Sequence, residues 1–483
     1  MLELIFNNIN AQEIGIAEWR VHLPYRQTIS LDFAGSLVYC ATPYGIFYFD
    51  KEDNTINQIT KINGLSDVNI SKIRYSEQYK ALIIVYTNAN IDLIYEKSII
   101  NISDIKRKTI LGNKTINNIT IYGNYAYLSC GFGIVVLDIL QNEIKDTYYI
   151  GQNGSSMNVL DVACDGVYIY AATESGIYKA SYTNPNLANY ANWSKDTSMS
   201  NPNGKYNVIT IFQNKLFANL SVSGYSKDTL YVNDGNAWAI FDSTRFDDVF
   251  SIRVVNNKML VSYNYKVLVY NSDIQILEDL WTYNPDSPEP SEALIDGDSY
   301  YWVADRTKGL VRYKDWNAFK ITPDGPATNN AFAMDIAGSD LYVAAGSVNS
   351  AWGNVWNYSG VYSFIGGTWH TLKDYNTAFD TIYDIIDIAV DPSNSNHVFA
   401  ASLGVGLVEI KNGYVVNVYD ETNSPLEHPY SFYRWLGIGG LAFDDNNNIW
   451  AVNSISNNLL KMRTPDGSWY SFSTLPYISQ AHG

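Results

Sequence analysis

Short runs of apolar residues, many alternating with polar ones, recur along the chain between clusters of Asp, Asn and Gly. Two of the clearest are Val38-Tyr39-Cys40-Ala41-Thr42-Pro43-Tyr44-Gly45-Ile46-Phe47 and Tyr168-Ile169-Tyr170-Ala171-Ala172-Thr173-Glu174-Ser175-Gly176-Ile177-Tyr178. Each reads as an aromatic or β-branched strand, a tight turn and a second strand. Further copies centre on Ile84, Tyr127, Phe217, Leu260, Trp302, Tyr342, Phe399 and Trp450, which makes ten units. Successive centres lie from 40 residues apart (Trp302 to Tyr342) to 57 (Tyr342 to Phe399). A period of about 40–50 residues with four short strands per unit is the pattern of β-propeller blades. No amphipathic stretch of helical period competes with it.

Each unit can be filled in from the same pattern. An innermost strand opens it, as in Asn158-Val159-Leu160-Asp161-Val162-Ala163. A polar turn such as Asp165-Gly166 or Asp444-Asp445-Asn446-Asn447-Asn448 supplies the positive φ angles that hairpins need. The Tyr-x-Ala strand comes second and the Gly-Ile-Tyr strand third. The outermost strand often carries a Trp: Trp193, Trp238, Trp281, Trp316, Trp369 and Trp469 are predicted there, where an indole can cover the seam between blades.

Blade bookkeeping predicts the domains. Glu18-Trp19-Arg20-Val21-His22 resembles one more outermost strand placed before the first blade. The Pro-rich break Asn284-Pro285-Asp286-Ser287-Pro288-Glu289-Pro290 follows the sixth blade. The expected architecture is all-β: a signal-like segment over 1–12, a first propeller over 13–285 read as one seven-bladed ring of six blades plus the N-terminal strand, and an incomplete second propeller over 286–483. A single ten-bladed ring is the alternative, and an ordinary terminus the alternative for 1–12.

Composition narrows the function classes. With 32 Lys+Arg against 49 Asp+Glu, the formal net charge is −17. That disfavours duplex nucleic acid and anionic lipid surfaces, which both select basic faces. The chain has 39 Tyr, 18 Phe and 12 Trp, an excess that fits half-buried pleated surfaces. Cys40, Cys130 and Cys164 are odd in number, lack metal-ligand spacing and read as small core hydrophobes. No apolar run reaches the roughly 18 residues of a membrane span. No metal or cofactor is expected.

Candidate chemistry falls into two groups. A polar residue recurs just before each aligned innermost strand: Asn69, Asn118, Asn158, Asn207 and Asp248, with Asp384 in a later blade. Such a collar could hydrogen-bond a glycan or ion at a channel mouth, or simply satisfy backbone N–H groups at strand starts. Two aromatic clusters interrupt the repeat, Trp352-Gly353-Asn354-Val355-Trp356-Asn357-Tyr358 and Tyr430-Ser431-Phe432-Tyr433-Arg434-Trp435. From these, Trp352, Trp356, Tyr358, Tyr430, Tyr433, Arg434 and Trp435 are the candidate ligand-binding residues: flat rings stack on sugars, and a guanidinium can hold an anion bidentately. The alternative is that they pack against other blades. The five histidines are scattered and no nucleophile elbow, P-loop or dinucleotide fingerprint occurs, so no catalytic residue is assigned.

Three strings carry a resemblance: Asp50-Lys51-Glu52-Asp53-Asn54, Ile62-Asn63-Gly64-Leu65-Ser66-Asp67, and Tyr125-Ala126-Tyr127-Leu128-Ser129-Cys130-Gly131-Phe132-Gly133-Ile134-Val135-Val136-Leu137-Asp138. They resemble the PorZ-type propeller proteins of Bacteroidetes, and the Gly-Leu-Ser-Asp element is also similar to the regulator-propeller repeat of hybrid two-component sensors. The resemblance implies a non-enzymatic protein of the cell envelope, periplasmic or on the outer surface. It further implies partnership with the sortase of the type IX secretion machinery and binding of anionic lipopolysaccharide. A periplasmic sensor propeller and a propeller-based carbohydrate-active enzyme are the alternatives.

Overall fold

The computed structural model describes residues 20–110, 112–224, 228–242, 248–429 and 435–473. The expected segment 1–12 and the strand residues Glu18 and Trp19 lie outside them. The described chain forms ten antiparallel four-stranded blades, each with its strands in sequence order from the inside out, the last two joined into one continuous sheet. The alternation of buried and exposed residues along the strands gives each blade two packing faces.

Two compact units emerge, one of Tyr25–Pro323 and one combining Met1–Pro24 with Asp324–Gly483. The first holds seven complete blades, spanning 30–59, 70–102, 116–148, 159–195, 206–242, 249–280 and 290–321. This corrects the expected division at 285/286. The Pro-rich stretch is no linker: Pro290 opens the innermost strand of blade seven, Pro290–Ile295. Proline is tolerated at the first residue of a strand because no ladder donor is required of it there. Nor do Arg20–His22, the described part of the predicted N-terminal strand, form an extra strand of this ring. These residues belong to the other unit, where His22 Nδ1 accepts from Trp369 Nε1 at 2.8 Å and Arg20 pairs with Asp324 at 3.4 Å.

In the seven-bladed unit the innermost strands touch in sequence, and Ser30–Ala34 of blade one meets Pro290–Ile295 of blade seven. Eight innermost strands carry a β-bulge near their start. A bulge re-aims the extra residue's side chain out of the pleat alternation. In four blades that side chain latches the backbone of the next: Ser71 Oγ donates to the Ile116 carbonyl (3.3 Å), Asn117 Nδ2 to Val159 (2.6 Å), Asn207 Nδ2 to Val249 (2.9 Å) and Ser291 Oγ to Thr28 (3.0 Å).

Ring closure centres on a fully buried carboxylate. Glu292 of blade seven accepts from Ser30 Oγ (2.7 Å) and the Leu31 amide (3.2 Å) of blade one. It pairs with Arg74 (2.7 Å) and Lys72 (3.7 Å) of blade two and with Arg253 (2.7 Å) of blade six. Burial would raise its pKa, but Arg74, Lys72 and Arg253 overcome that and hold the carboxyl well below the usual carboxylate range. Burial pushes Lys72 down to about 8 against the opposing pull of Glu292.

Of the six expected seam tryptophans, Trp193 is buried against Tyr148 of the preceding blade, and Trp238 donates to Asp196 of the preceding blade at 2.9 Å. Trp469 packs on Tyr419 and Trp369 on His22. Trp281 and Trp316 depart from the expectation: each is 58% exposed and they face one another. The three cysteines are free; Cys40 and Cys130 are buried and Cys164 is partly so.

Trp193→Ala is expected to destabilise the chain by about 3–5 kcal/mol, and Trp316→Ala to change stability by no more than about 0.5 kcal/mol, measured by denaturant unfolding; equal effects would contradict the seam assignment. Glu292→Gln leaves three cations facing one another and is expected to cost about 3–5 kcal/mol, seen as a lower thermal transition. A wild-type melting profile in that variant would show that closure does not depend on the ion cluster.

Candidate functional site

The six polar residues expected as a collar do not act together. Innermost strands of blades one to six line a channel cavity of about 380 Å³, and of the six Asn118 is the one on its wall. Its side chain accepts from Arg74 (3.3 Å) and donates to Asp161 (2.6 Å). Asn207 forms a latch, and Asn158 accepts from Asn117 at 3.0 Å. Asn69 is exposed, with φ of 61°, and its carbonyl accepts from the Thr87 amide. Asp248 accepts from Asn264 at 3.3 Å. Asp384 belongs to the other unit altogether.

The channel is polar but internally paired. Arg74, Arg253, Asp32, Asn118 and Asp161 line it. Asp161 is pushed up to about 6 by burial, although it accepts from the amides of Val162 and Ile209 and from Asn118. These carboxylates are spent on backbone amides and guanidinium groups. Sequence reasoning missed these charged groups because only scattered charges among apolar strand neighbours mark them, Glu292 in Pro290-Ser291-Glu292-Ala293-Leu294 and Lys72 and Arg74 in Ile70-Ser71-Lys72-Ile73-Arg74. Turn carboxylates are structural as well. Asp296 accepts from Trp302 Nε1 and Asp444 from Trp450 Nε1, both at 2.9 Å and both six residues apart. The Gly-Leu-Ser-Asp element likewise serves packing: Leu65 is core, and the Ser66 amide donates to buried Asp92 at 2.8 Å.

In the other unit, the aromatic cluster interrupting blade eight is an exposed loop between the strands Asp340–Ala344 and Val361–Ile365. Trp352 is 54% exposed, Trp356 51% and Tyr358 37%. Both tryptophans adopt the left-handed conformation, with φ of 58° and 60°. That conformation costs a non-glycine residue roughly 1 kcal/mol or more and persists only where neighbours enforce it. At Trp352 the amide donates to the Asn349 carbonyl at 3.0 Å, and at Trp356 the enforcing group is Asp384, which is fully buried and also has positive φ. Its carboxylate accepts the amides of Val355 (3.0 Å), Trp356 (3.1 Å) and Asn357 (2.8 Å), and Nδ2 of Asn354 (3.0 Å). Asn349 caps the other end of the loop by accepting the Gly353 amide at 2.8 Å.

Asn354 extends this frame to the second cluster: its Oδ1 accepts from Trp435 Nε1 at 2.8 Å. The structure therefore joins Trp435 to the 352–358 loop. Tyr430, Tyr433 and Arg434 lie outside the described residues. Tyr383, missed in the sequence, underlies the platform, its ring 4.6 Å from Trp356 and 5.7 Å from Tyr358. Gly404 makes room for it, since a Cβ there would sit 2.5 Å from the Tyr383 ring. Phe332 flanks Trp352, and Lys373 Nζ lies 5.7 Å from the Tyr358 ring centroid. Chemically, this is an aromatic platform with one cation at its edge. Among the described residues no His/Cys/Asp/Glu group is arranged to hold a metal.

Comparison with known proteins bears on the whole chain. Residues 38–194 match the family described as the TSS9, PorZ, N-terminal beta-propeller domain. That span runs through blades one to four of the seven-bladed unit. The structure of PorZ from Porphyromonas gingivalis, described as an essential bacterial surface component of the type-IX secretion system, matches with a TM-score of 0.81 at 23% identity. The similarity covers 96% of this chain and 61% of that one, so the chain spans less than two thirds of its relative. This likeness establishes the propeller fold. The extracellular domain of a putative one component system from B. thetaiotaomicron is similar at 11% identity and a TM-score of 0.44, covering 95% of this chain and 73% of that one. That of a putative hybrid two component system from the same organism has 13% identity and a TM-score of 0.32, over 94% and 58% of the two chains. No curated protein matches. No helix among the described residues is long and apolar enough to cross a membrane.

Removing Asp384 strands several amides. Asp384→Ala is expected to destabilise its unit by about 3 kcal/mol and to change tryptophan fluorescence as the loop loses its frame. Trp352→Ala, at an exposed position, is expected to cost less than about 1 kcal/mol. Unchanged fluorescence and stability in Asp384→Ala would show that the loop is held by other contacts.

Proposed function

We propose that the chain is a non-enzymatic, PorZ-type propeller protein of the cell envelope that binds an anionic lipopolysaccharide or glycan in support of the type IX secretion sortase. The observation that carries this reading is the family match over residues 38–194. The aromatic loop of blade eight supports it: Trp352, Trp356 and Tyr358 present solvent-facing rings on a buried frame, the arrangement that stacks on sugar rings, and Lys373 supplies a cation beside them. Pre-organisation by Asp384 means that little ordering entropy is lost when a ligand stacks. A binding role is favoured over glycoside hydrolysis because the carboxylates on the channel wall, Asp32 and Asp161, are each engaged by side-chain or backbone donors.

The reading is tested by titrating the full chain with purified anionic lipopolysaccharide and by recovering partners from envelope extracts. The double variant Trp352→Ala, Trp356→Ala is expected to bind at least tenfold more weakly, about 1.4 kcal/mol, with its fold retained by circular dichroism. No binding by the wild type, or equal binding by the double variant, rejects the proposed site. Failure to recover a sortase from extracts rejects the secretion role.

A further inference from the structure

The connection between blades two and three carries an unusual local charge. Within Asp104-Ile105-Lys106-Arg107-Lys108-Thr109-Ile110, and at Lys114 beyond it, four cations gather in a chain of net charge −17. Two of the four are engaged. Lys106 pairs with Asp67 at 2.6 Å, helping to pull that carboxyl down to about 2 in spite of its partial burial. Lys114 Nζ donates to the carbonyls of Lys106 and Lys108. Arg107 and Lys108 are exposed, and their side chains have no hydrogen-bond or ion-pair partner among the described residues.

These two free cations stand at the rim of a cavity of about 440 Å³ that lies wholly within the seven-bladed unit. Its walls are apolar: Ile105, Phe132 and Val135 are buried core residues, and Ile144 and Tyr149 are partly buried beside them. Asp104 is the one carboxylate on the lining, so the rim carries an excess of one positive charge. The volume falls in the range of small-molecule pockets, and an apolar interior with a few polar groups at one end fixes how a ligand enters. A neutral alkyl or aryl group would fill the interior but leave the rim cations to water. A bare inorganic anion would use the rim but not the interior.

We propose that this cavity binds a single-chain amphiphilic anion, its alkyl tail against Phe132, Val135 and Ile144 and its carboxylate or phosphate headgroup held by Arg107 and Lys108. The guanidinium forks onto the headgroup oxygens, and the ammonium adds a point charge. The tail contributes through the methylenes that it removes from water. This site is in the other unit from the aromatic loop and uses different chemistry, so its failure leaves the glycan reading untouched.

Isothermal titration of the full chain with decyl phosphate, kept below its micelle concentration, tests it. One saturable site is expected, with inorganic phosphate and decanol each binding at least tenfold more weakly. Arg107→Glu with Lys108→Glu changes only exposed positions and is expected to weaken decyl phosphate at least tenfold while leaving the melting profile unchanged. Ile144→Trp, which fills the cavity, is expected to abolish binding. Absence of saturable binding by the wild type overturns the proposal, as does decanol or inorganic phosphate binding as tightly as decyl phosphate. Undiminished binding in the double charge variant overturns it equally.

Discussion

A ring of blades is only as stable as its last seam, and here that seam is organised around one buried charge. Glu292 reaches from blade seven to the Ser30 hydroxyl and Leu31 amide of blade one and pairs with Lys72, Arg74 and Arg253 of blades two and six. Burying a carboxylate costs several kcal/mol after relaxation, and one partner rarely repays it. Three cations and two hydrogen-bond donors do, but only when all four blades are in place. The interaction is therefore cooperative with closure: it rewards a complete ring and penalises an open one. Hydrophobic packing between neighbouring faces cannot make that distinction, because every pair of blades offers a similar surface.

The same constraint explains why the channel is polar and yet internally paired. Its charged groups answer each other or the backbone, Arg253 to Glu292 and Asp32, Asp161 to the amides of Val162 and Ile209. The acidic balance of the chain is distributed largely over hairpins, where Asp165, Asp296 and Asp444 accept backbone amides. An abundance of carboxylates in such a repeat thus reflects turn geometry, and says little about catalysis.

The repeat and the four-stranded blades were legible from periodicity, since strand, turn and strand recur with residues suited to each. A ring of seven was expected too, but not the segment that completes it. Asn284-Pro285 and Pro288-Glu289-Pro290 carry the composition of a linker, while the contacts that place Pro290–Ile295 in the first ring come from residues near position 30, far away in sequence. Bulges separate the collar residues: Asn207 sits at one and latches the next blade, whereas Asn118 lies one residue past another. A bulge at Asn117 shifts the pleat by one residue, so Asn117 latches the next blade and Asn118 faces the channel. Period-two reasoning cannot assign neighbours across a bulge whose position it does not know. Trp352, Trp356 and Tyr358 were legible as exposed rings because they break the repeat. Their support was not, because Asp384 lies 27 to 30 residues beyond the amides and amide side chain it holds.

That support distinguishes the loop from a surface accident. An unconstrained segment would place Asn or Gly at left-handed positions, and this one places Trp at two of them. The fold meets the conformational cost with a buried carboxylate whose own desolvation is unfavourable unless the amides stay where they are. Each half of the arrangement is costly alone and stable only with the other, as with Glu292 in the ring. In the ring the product of that coupling is closure. In the loop it is a set of aromatic rings, each packed on one side and open to solvent on the other.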